Sequence, residues 1–238
     1  MIEKILNQFL KFFDLKLIKI VDQFSNSYRL SLAFKEKNID YIIDVGANEG
    51  QFGKDLRYYG YNGGILSFEP IKFANQKLNN FTSKDKNWTV FEPIALGNKN
   101  RNTQINISKN SVSSSILKIK DEHVENAPES RFVDKQIIQE KKMDDIFNDL
   151  NINDKNIFLK IDTQGYEFQV LEGAEKSLNK IKGILVEVSL TELYEDQKGW
   201  LEVMKFIQDK GFKLWSVDRG FTNKTNGKTL QLDLCFFK

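Results

Sequence analysis

The sequence predicts a doubly wound α/β domain, with a seven-stranded, mostly parallel sheet and helices on both faces. Three observations predict it. Short apolar runs of strand length alternate with amphipathic, helix-length segments from Ile39 onward. A glycine-bearing turn, Asp44-Val45-Gly46-Ala47-Asn48-Glu49-Gly50, joins the first run to the first of those segments. The last two apolar runs lie too close together for a helical crossover, so they read as an antiparallel pair.

In chain order, residues 41–45 read as a buried strand and 50–59 as the helix behind it. Residues 64–68 form a second strand ending in Glu69-Pro70, and 71–81 its helix. Residues 88–91 are a third strand and 157–161 a fourth, followed by a helix over 166–178. Residues 184–188 are a fifth strand, and 201–210 a helix that Gly211 stops. Residues 212–217 and 232–237 supply the last two strands, with Gly220, Asn223, Asn226 and Gly227 between them. Residues 98–142 break this rhythm. They are polar, hold one plausible short strand at 103–107 and a serine cluster (Ser111, Ser113, Ser114, Ser115), and read as an irregular insertion that is either functional or disordered.

Residues 1–38 read as an amphipathic helical extension to a domain spanning 39–238. Ile5, Phe9, Phe12, Phe13, Leu17 and Ile20 recur at helical spacing among Lys4, Lys11, Lys16 and Lys19. Such a helix packs over one end of the core or at a dimer seam; the alternative is peripheral contact with a membrane surface.

Composition narrows the chemistry. A net charge of +2 on 238 residues lacks the strong basic excess that nucleic-acid binding draws on. Cys235 is the single cysteine, so no internal disulfide forms and a reducing cytoplasm is the expected compartment. His123 is the single histidine, which excludes sites built from two or more and makes no metal ligand set evident.

The turn after the first strand predicts a nucleoside-type site. Its glycines let backbone approach a ligand, and the next helix aims its N-terminal amides there. Glu69, at the end of the second strand, stands where doubly wound folds bind ribose hydroxyls. A dinucleotide would call for G-x-G-x-x-G. Here Asn48 replaces the second glycine and Glu49 adds negative charge, which opposes a pyrophosphate and suits a cationic sulfonium carrying an amino group.

With these pieces in place, the sequence resembles the FkbM family of S-adenosyl-L-methionine (SAM)-dependent methyltransferases. The matching segments are Ile43-Asp44-Val45-Gly46-Ala47-Asn48-Glu49-Gly50-Gln51-Phe52, Phe68-Glu69-Pro70, Ala95-Leu96-Gly97 and Met143-Asp144-Asp145-Ile146. Leu159-Lys160-Ile161-Asp162-Thr163-Gln164-Gly165-Tyr166-Glu167, Leu171-Glu172-Gly173-Ala174, Val186-Glu187-Val188-Ser189 and Leu193-Tyr194 follow. The segment from Asp162 to Glu167 is the most specific. The resemblance implies a class I methyltransferase (Rossmann-like) fold with a reversed final strand, and transfer to oxygen, often a hydroxyl of a sugar or secondary metabolite. It implies that Asp44, Gly46, Ala47, Asn48 and Gly50 cradle the methionine part of SAM. Glu69 would bind the ribose, with Pro70 and Ile71 on one side of the adenine and Ala95 and Leu96 on the other.

An alcohol acceptor also needs its proton removed. Asp162 and Glu187, at the ends of the fourth and fifth strands, are the carboxylates expected nearest the acceptor. Asp162 is the first choice for base or acceptor orienter; its alternative is a cap on the following helix. Glu187 could instead be structural, bonding Lys160 or Tyr194, and the two carboxylates together could hold Mg²⁺. His123 is a further candidate base in the insertion, although a loop histidine is more often solvated. The acceptor expected is a small molecule or glycan. Alternatives are a protein or nucleic-acid methyltransferase, or a non-catalytic binding module. Base-amino methylases carry Asn/Asp-Pro-Pro-aromatic where this chain has Asp162-Thr163-Gln164-Gly165, and loss of the loop glycines or Glu69 would favour the module, yet all are present.

Overall fold

The computed structural model describes residues 6, 10–13, 25–152 and 154–238. Most of the predicted amphipathic stretch over residues 1–24, including Ile5, Phe9, Leu17 and Ile20, lies outside the described residues. Helix α1 (Asn26–Glu36) begins at Ser25, whose hydroxyl accepts the Tyr28 amide at 3.3 Å and satisfies one of the free amides of the first turn. β1 (Tyr41–Val45), α2 (Gln51–Tyr58), β2 (Gly64–Phe68), α3 (Lys72–Thr82) and β3 (Trp88–Val90) follow as the sequence predicts. Then come β4 (Ile94–Leu96), β5 (Arg101–Ser108), the short helix α4 (Asp121–Asn126), β6 (Phe132–Lys141) and α5 (Met143–Ile146). β7 (Ile157–Ile161), α6 (Glu167–Gly173), β8 (Ile181–Ser189), α7 (Trp200–Asp209), β9 (Lys213–Arg219) and β10 (Gln231–Phe237) complete the chain.

The main sheet has the order β3-β2-β1-β7-β8-β10-β9. β3, β2, β1, β7 and β8 are parallel neighbours, and β10 is antiparallel to both β8 and β9. The final strand is therefore reversed and inserted between its predecessors. Strand order changes direction between β1 and β7, and a crevice opens beyond the carboxyl ends of strands at such a switch point.

Both faces of the central strands are covered, which is why they read as mostly apolar runs, interrupted by Asp44, Ser67 and Lys160. On one face Leu30, Ala33 and Phe34 of α1 and Leu56 of α2 pack with Ile42, Phe158 and Phe237. The Phe34 and Phe158 rings lie 4.6 Å apart. On the other face Val170 and Leu171 of α6 and Val203 and Ile207 of α7 meet Ile43, Leu159, Ile184 and Val186.

Two expectations need correction. Residues 98–142 are ordered: β6 pairs antiparallel with β5 and parallel with β4 in a second, three-stranded sheet. β6 escapes a reading by hydrophobicity because half of its residues face solvent, the apolar Val133 and Ile137 among them; only Ile138 and Glu140 are buried. The helix after β7 is also shorter than predicted. It ends at Gly173, where a Cβ would come within 1.8 Å of the Gly97 carbonyl oxygen, and a 3-10 turn at Ser177–Asn179 follows.

Gly46 explains how the carboxyl ends of β1 and β7 come together. Its φ is +75°, and a Cβ there would sit 1.8 Å from the Asp162 carbonyl oxygen. The glycine serves contact between two strand ends, and not only access for a ligand. Gly46→Ala combines a left-handed backbone penalty with overpacking and is expected to destabilise the fold by roughly 2–5 kcal/mol. Urea denaturation of the two proteins measures it; a difference within about 0.5 kcal/mol, the size of an ordinary surface change, would contradict this account.

Candidate functional site

A cavity of about 330 Å³ opens beyond β1 and β7. One end is an apolar slot walled by Phe68, Pro70, Ile71, Ala95, Leu96 and Ile105. The other end is polar and carries Gln51, Lys160, Asp162 and Asp233 beside Phe52 and Leu185. Gly46, Ala47, Asn48 and Glu69 join the two ends. Eight of the ten expected cofactor residues thus share one wall: Gly46, Ala47, Asn48, Glu69, Pro70, Ile71, Ala95 and Leu96.

Asp44 and Gly50 do not line it. Asp44 is fully buried with its Oδ1 3.1 Å from the Lys160 ammonium, so it acts on the site through that lysine. Gly50 (φ +86°) packs against Leu78, which a Cβ would meet at 2.5 Å; it turns the chain into α2. Glu49 pairs with Lys77 at 2.8 Å. Its charge is matched there and does not face the cavity.

Glu69 is buried at the junction. Oε2 accepts the Asn48 amide and Oε1 the Ile71 amide, each at 2.8 Å. Each oxygen retains a lone pair for a further donor. Burial is the main cause that pushes its pKa up, to about 7, against the two backbone donors.

Lys160 anchors the polar end. It donates to the Gly46 carbonyl at 3.0 Å and lies 3.6 Å from Asp162 Oδ2. Burial alone would lower its pKa, but the Asp44 and Asp162 carboxylates outweigh that and hold the ammonium charged. Asp162 lines the cavity, and Gln164 Nε2 donates to its Oδ1 at 2.9 Å. The same amide nitrogen donates to Glu187 Oε2 at 2.8 Å. Gln231 Nε2 donates to that oxygen at 2.7 Å. Glu187 is thus bonded to two glutamines, not to Lys160 or Tyr194 as expected, and it does not line the cavity. Burial, then Asp162, raises its pKa well above the usual carboxylate range.

The loop from Asp162 to Glu167 is held by its own last residue. Glu167 Oε1 accepts the amides of Thr163 and Gly165 at 2.9 and 3.0 Å and faces the Thr163 hydroxyl at 3.2 Å. Gln164 (φ +55°) and Gly165 (φ +95°) make the reversal between these bonds. The serine-rich segment docks on both the turn after β1 and the loop after β7. Asn48 Nδ2 donates to Ser111 Oγ at 3.2 Å, and Ser115 Oγ donates to the Gln164 carbonyl at 2.7 Å.

His123 stands elsewhere. It is buried in α4, edge-on to Tyr194 at 5.2 Å and near Phe221 at 5.4 Å, and is absent from the cavity wall. Burial lowers its pKa to about 4. The expectation of a solvated loop base gives way to a neutral, packed imidazole. Asp233 was missed by sequence reasoning. The available signal was an acid within the apolar run of the last strand, the same signal that marked Glu187. Among the described residues, no group of three or more His, Cys, Asp or Glu side chains is arranged to hold a metal ion, and no helix is long and apolar enough to cross a membrane.

The profile described as Methyltransferase FkbM domain matches residues 44–214. The chain belongs to the FkbM methyltransferase family. Its cofactor is SAM, and the cavity fits it on its own terms. The apolar slot suits a flat base, Glu69 has lone pairs for ribose hydroxyls, and the anionic polar end suits a sulfonium. No curated protein matches the chain. Among solved structures it is similar to a SAM-dependent methyltransferase from Aquifex aeolicus (14% identity, 97% of each chain, TM-score 0.46). It is also similar to Aeropyrum pernix fibrillarin with bound SAM (10%, 89% of this chain and 76% of that one, TM-score 0.46). An rRNA methylase from Streptococcus thermophilus is a third (11%, 91% and 99%, TM-score 0.48). At these identities and scores, nothing said of those proteins' acceptors transfers to this methyltransferase.

The raised pKa of Glu69 predicts a pH dependence. A protonated Glu69 offers ribose hydroxyls a weaker acceptor, so SAM affinity is expected to fall as pH drops below about 7. The limit is roughly tenfold per pH unit. Calorimetric titration between pH 6 and 8 should show this slope in the native protein and a flatter, weaker profile in Glu69→Gln. Equal affinity of the two proteins at pH 8 would remove the ribose role.

Proposed function

We propose that this methyltransferase acts on a hydroxyl group of a sugar, a glycan or a small metabolite. The observation that carries this reading is the polar end of the cavity, where Asp162 and Asp233 share one space with Gln51, Thr163 and Gln164. A hydroxyl becomes a good nucleophile only as its proton leaves, which calls for a base within reach. The neighbouring amides and hydroxyls suit the remaining hydroxyls of a polyol. The same end has more carboxylates than cations, which repels a phosphate backbone and supports a neutral small-molecule or glycan acceptor over nucleic acid. With Cys235 buried and alone among cysteines, the reducing cytoplasm remains the compartment we favour.

Bound SAM supplies a methyl group on a positively charged sulfur. The chain's own residues do the rest. The backbone from Gly46 to Asn48 would hold the amino-acid part, Glu69 the ribose, and Pro70, Ile71, Ala95 and Leu96 the adenine. Asp162, 3.6 Å from the Lys160 ammonium and oriented by Gln164, would receive a hydroxyl of the acceptor and aim its oxygen. Alignment of this kind supplies about 7–11 kcal/mol in well-oriented systems, so the rigidity of Asp162 matters more than its basicity.

A methyl-transfer screen with labelled SAM against sugars, oligosaccharides, metabolites, RNA and protein tests the reading. Methylation of a hydroxyl compound is expected; transfer confined to RNA or protein would overturn it. Against the hydroxyl compound found, Asp162→Asn should lower kcat by about tenfold or more through lost alignment. Its Kd for SAM should stay within about threefold, since Asp162 faces the acceptor; full activity in that variant would remove the role given to Asp162.

A further inference from the structure

We infer that Asp233 is the general base that takes the proton from the acceptor hydroxyl. This rests on the oxygen-acceptor reading above and gives its chemistry a residue.

The placement follows from the reversed strand. β10 runs between β8 and β9, so Asp233 lies opposite Glu187 on one side and Asp218 on the other. It shares the cavity wall with Lys160, Asp162 and Leu185. The other carboxylates here are committed. Asp162 is occupied on both oxygens: Gln164 donates to Oδ1 and the Lys160 ammonium lies 3.6 Å from Oδ2. Glu187 is bonded to two glutamine amides and is off the wall. Asp218 is paired with Arg29 at 2.6 Å. Among the described residues, no hydrogen-bond donor or cation engages the Asp233 carboxylate. It is the one carboxylate of the polar end that faces the cavity with both oxygens free.

The charges around Asp233 set its strength. Asp162 and Lys160 reach it from β7, Glu187 from β8 and Asp218 from β9, the last covered by Arg29 of α1. Burial, then Asp162, raises the Asp233 pKa to about 6, with Lys160 opposing and Asp218 adding to the rise. Such a group is ionised at neutral pH and is a stronger base than an ordinary aspartate, the compromise that proton transfer near pH 7 favours.

The step balances. The acceptor O–H bond breaks and its proton passes to an Asp233 oxygen. The freed electron pair on oxygen forms the new O–C bond. The pair of the broken C–S bond stays on sulfur, whose positive charge is neutralised, and the enzyme is left holding one proton.

The test uses the hydroxyl compound identified by the screen. Asp233→Asn should lower kcat by about 100-fold or more, with SAM Kd and acceptor KM within about threefold, and Asp233→Glu should recover part of the loss. The native kcat should rise with pH along a limb below about 6, since the bound sulfonium favours the ionised carboxylate. That rise should vanish in Asp233→Asn and persist in Asp162→Asn, moved to lower pH because the Asp162 charge helps raise the Asp233 pKa. A kcat within about threefold of native, or a pH limb that disappears with Asp162 and stays without Asp233, would overturn the assignment. If no hydroxyl compound is methylated, the oxygen-acceptor reading fails on its own. Carboxyl-carbon NMR of the protein with S-adenosylhomocysteine bound then still decides on Asp233: titration near 6 supports the inference, and titration at an ordinary aspartate value of about 4 overturns it.

Discussion

One buried cation holds the site together. The Lys160 ammonium joins the Asp44 carboxylate on β1, the Gly46 carbonyl in the cofactor turn and the Asp162 carboxylate after β7. Three segments from two strands therefore converge on a single point of charge. Removing one partner of a buried pair leaves the other uncompensated, typically at about 3–5 kcal/mol. Gly46 supplies the matching steric condition, since only a residue without a Cβ lets the turn approach the Asp162 carbonyl. The cation and the glycine together explain why the donor side and the acceptor side of the cavity have a fixed relation.

Gln164 extends that relation outward. Its amide nitrogen bridges Asp162 and Glu187, its carbonyl accepts from Ser115, and its Oε1 lies 2.8 Å from the Tyr194 hydroxyl. The same hydroxyl lies 3.1 Å from the Ser113 carbonyl, and His123 packs against the Tyr194 ring. The serine-rich segment is thus seated on the acceptor-side loop, while Ser111 seats it on Asn48. The segment that looks least structured in the sequence is the one that closes the cavity over both loops, which gives the single histidine a packing role beneath it.

What the sequence makes legible follows from which forces leave a local trace. Strands buried on both faces, such as β1, β2 and β7, appear as mostly apolar runs, and the glycine turn and Glu69 lie at the ends of β1 and β2 in the expected order. β6 leaves no such trace, because its apolar residues do not share one buried face: Val133 and Ile137 are exposed, and Ile138 is buried beside the charged Glu140. The cofactor wall was readable for the same reason that the strand ends were. The functional roles of Asp44, Glu49 and His123 were not, because they depend on partners far away in the chain: Lys160, Lys77 and Tyr194. Asp233 is the sharper case. An acid in an apolar terminal run is visible, but its position beside Glu187 exists only once β10 inserts between β8 and β9.

Charge divides the cavity in a way that bears on binding order. At and behind the polar end, Asp162 and Asp233 on the wall and Asp44 and Glu187 behind it surround one lysine, so the side chains alone do not balance. Burial answers this by raising the pKa of Glu187 and Asp233, and Glu69 at the junction is raised as well. A cationic ligand relieves the same imbalance by favouring the ionised forms. Occupation by a sulfonium therefore does two things at once: it satisfies a deficit of positive charge and it alters the basicity of the carboxylates beside it. With Asp233 as the proposed base, loss of that charge when the methyl group leaves would restore the deficit just as a proton arrives from the acceptor. The protonation that the fold favours in the absence of positive charge is then the state the reaction produces, so the electrostatics of the unbalanced site and the direction of proton transfer point the same way.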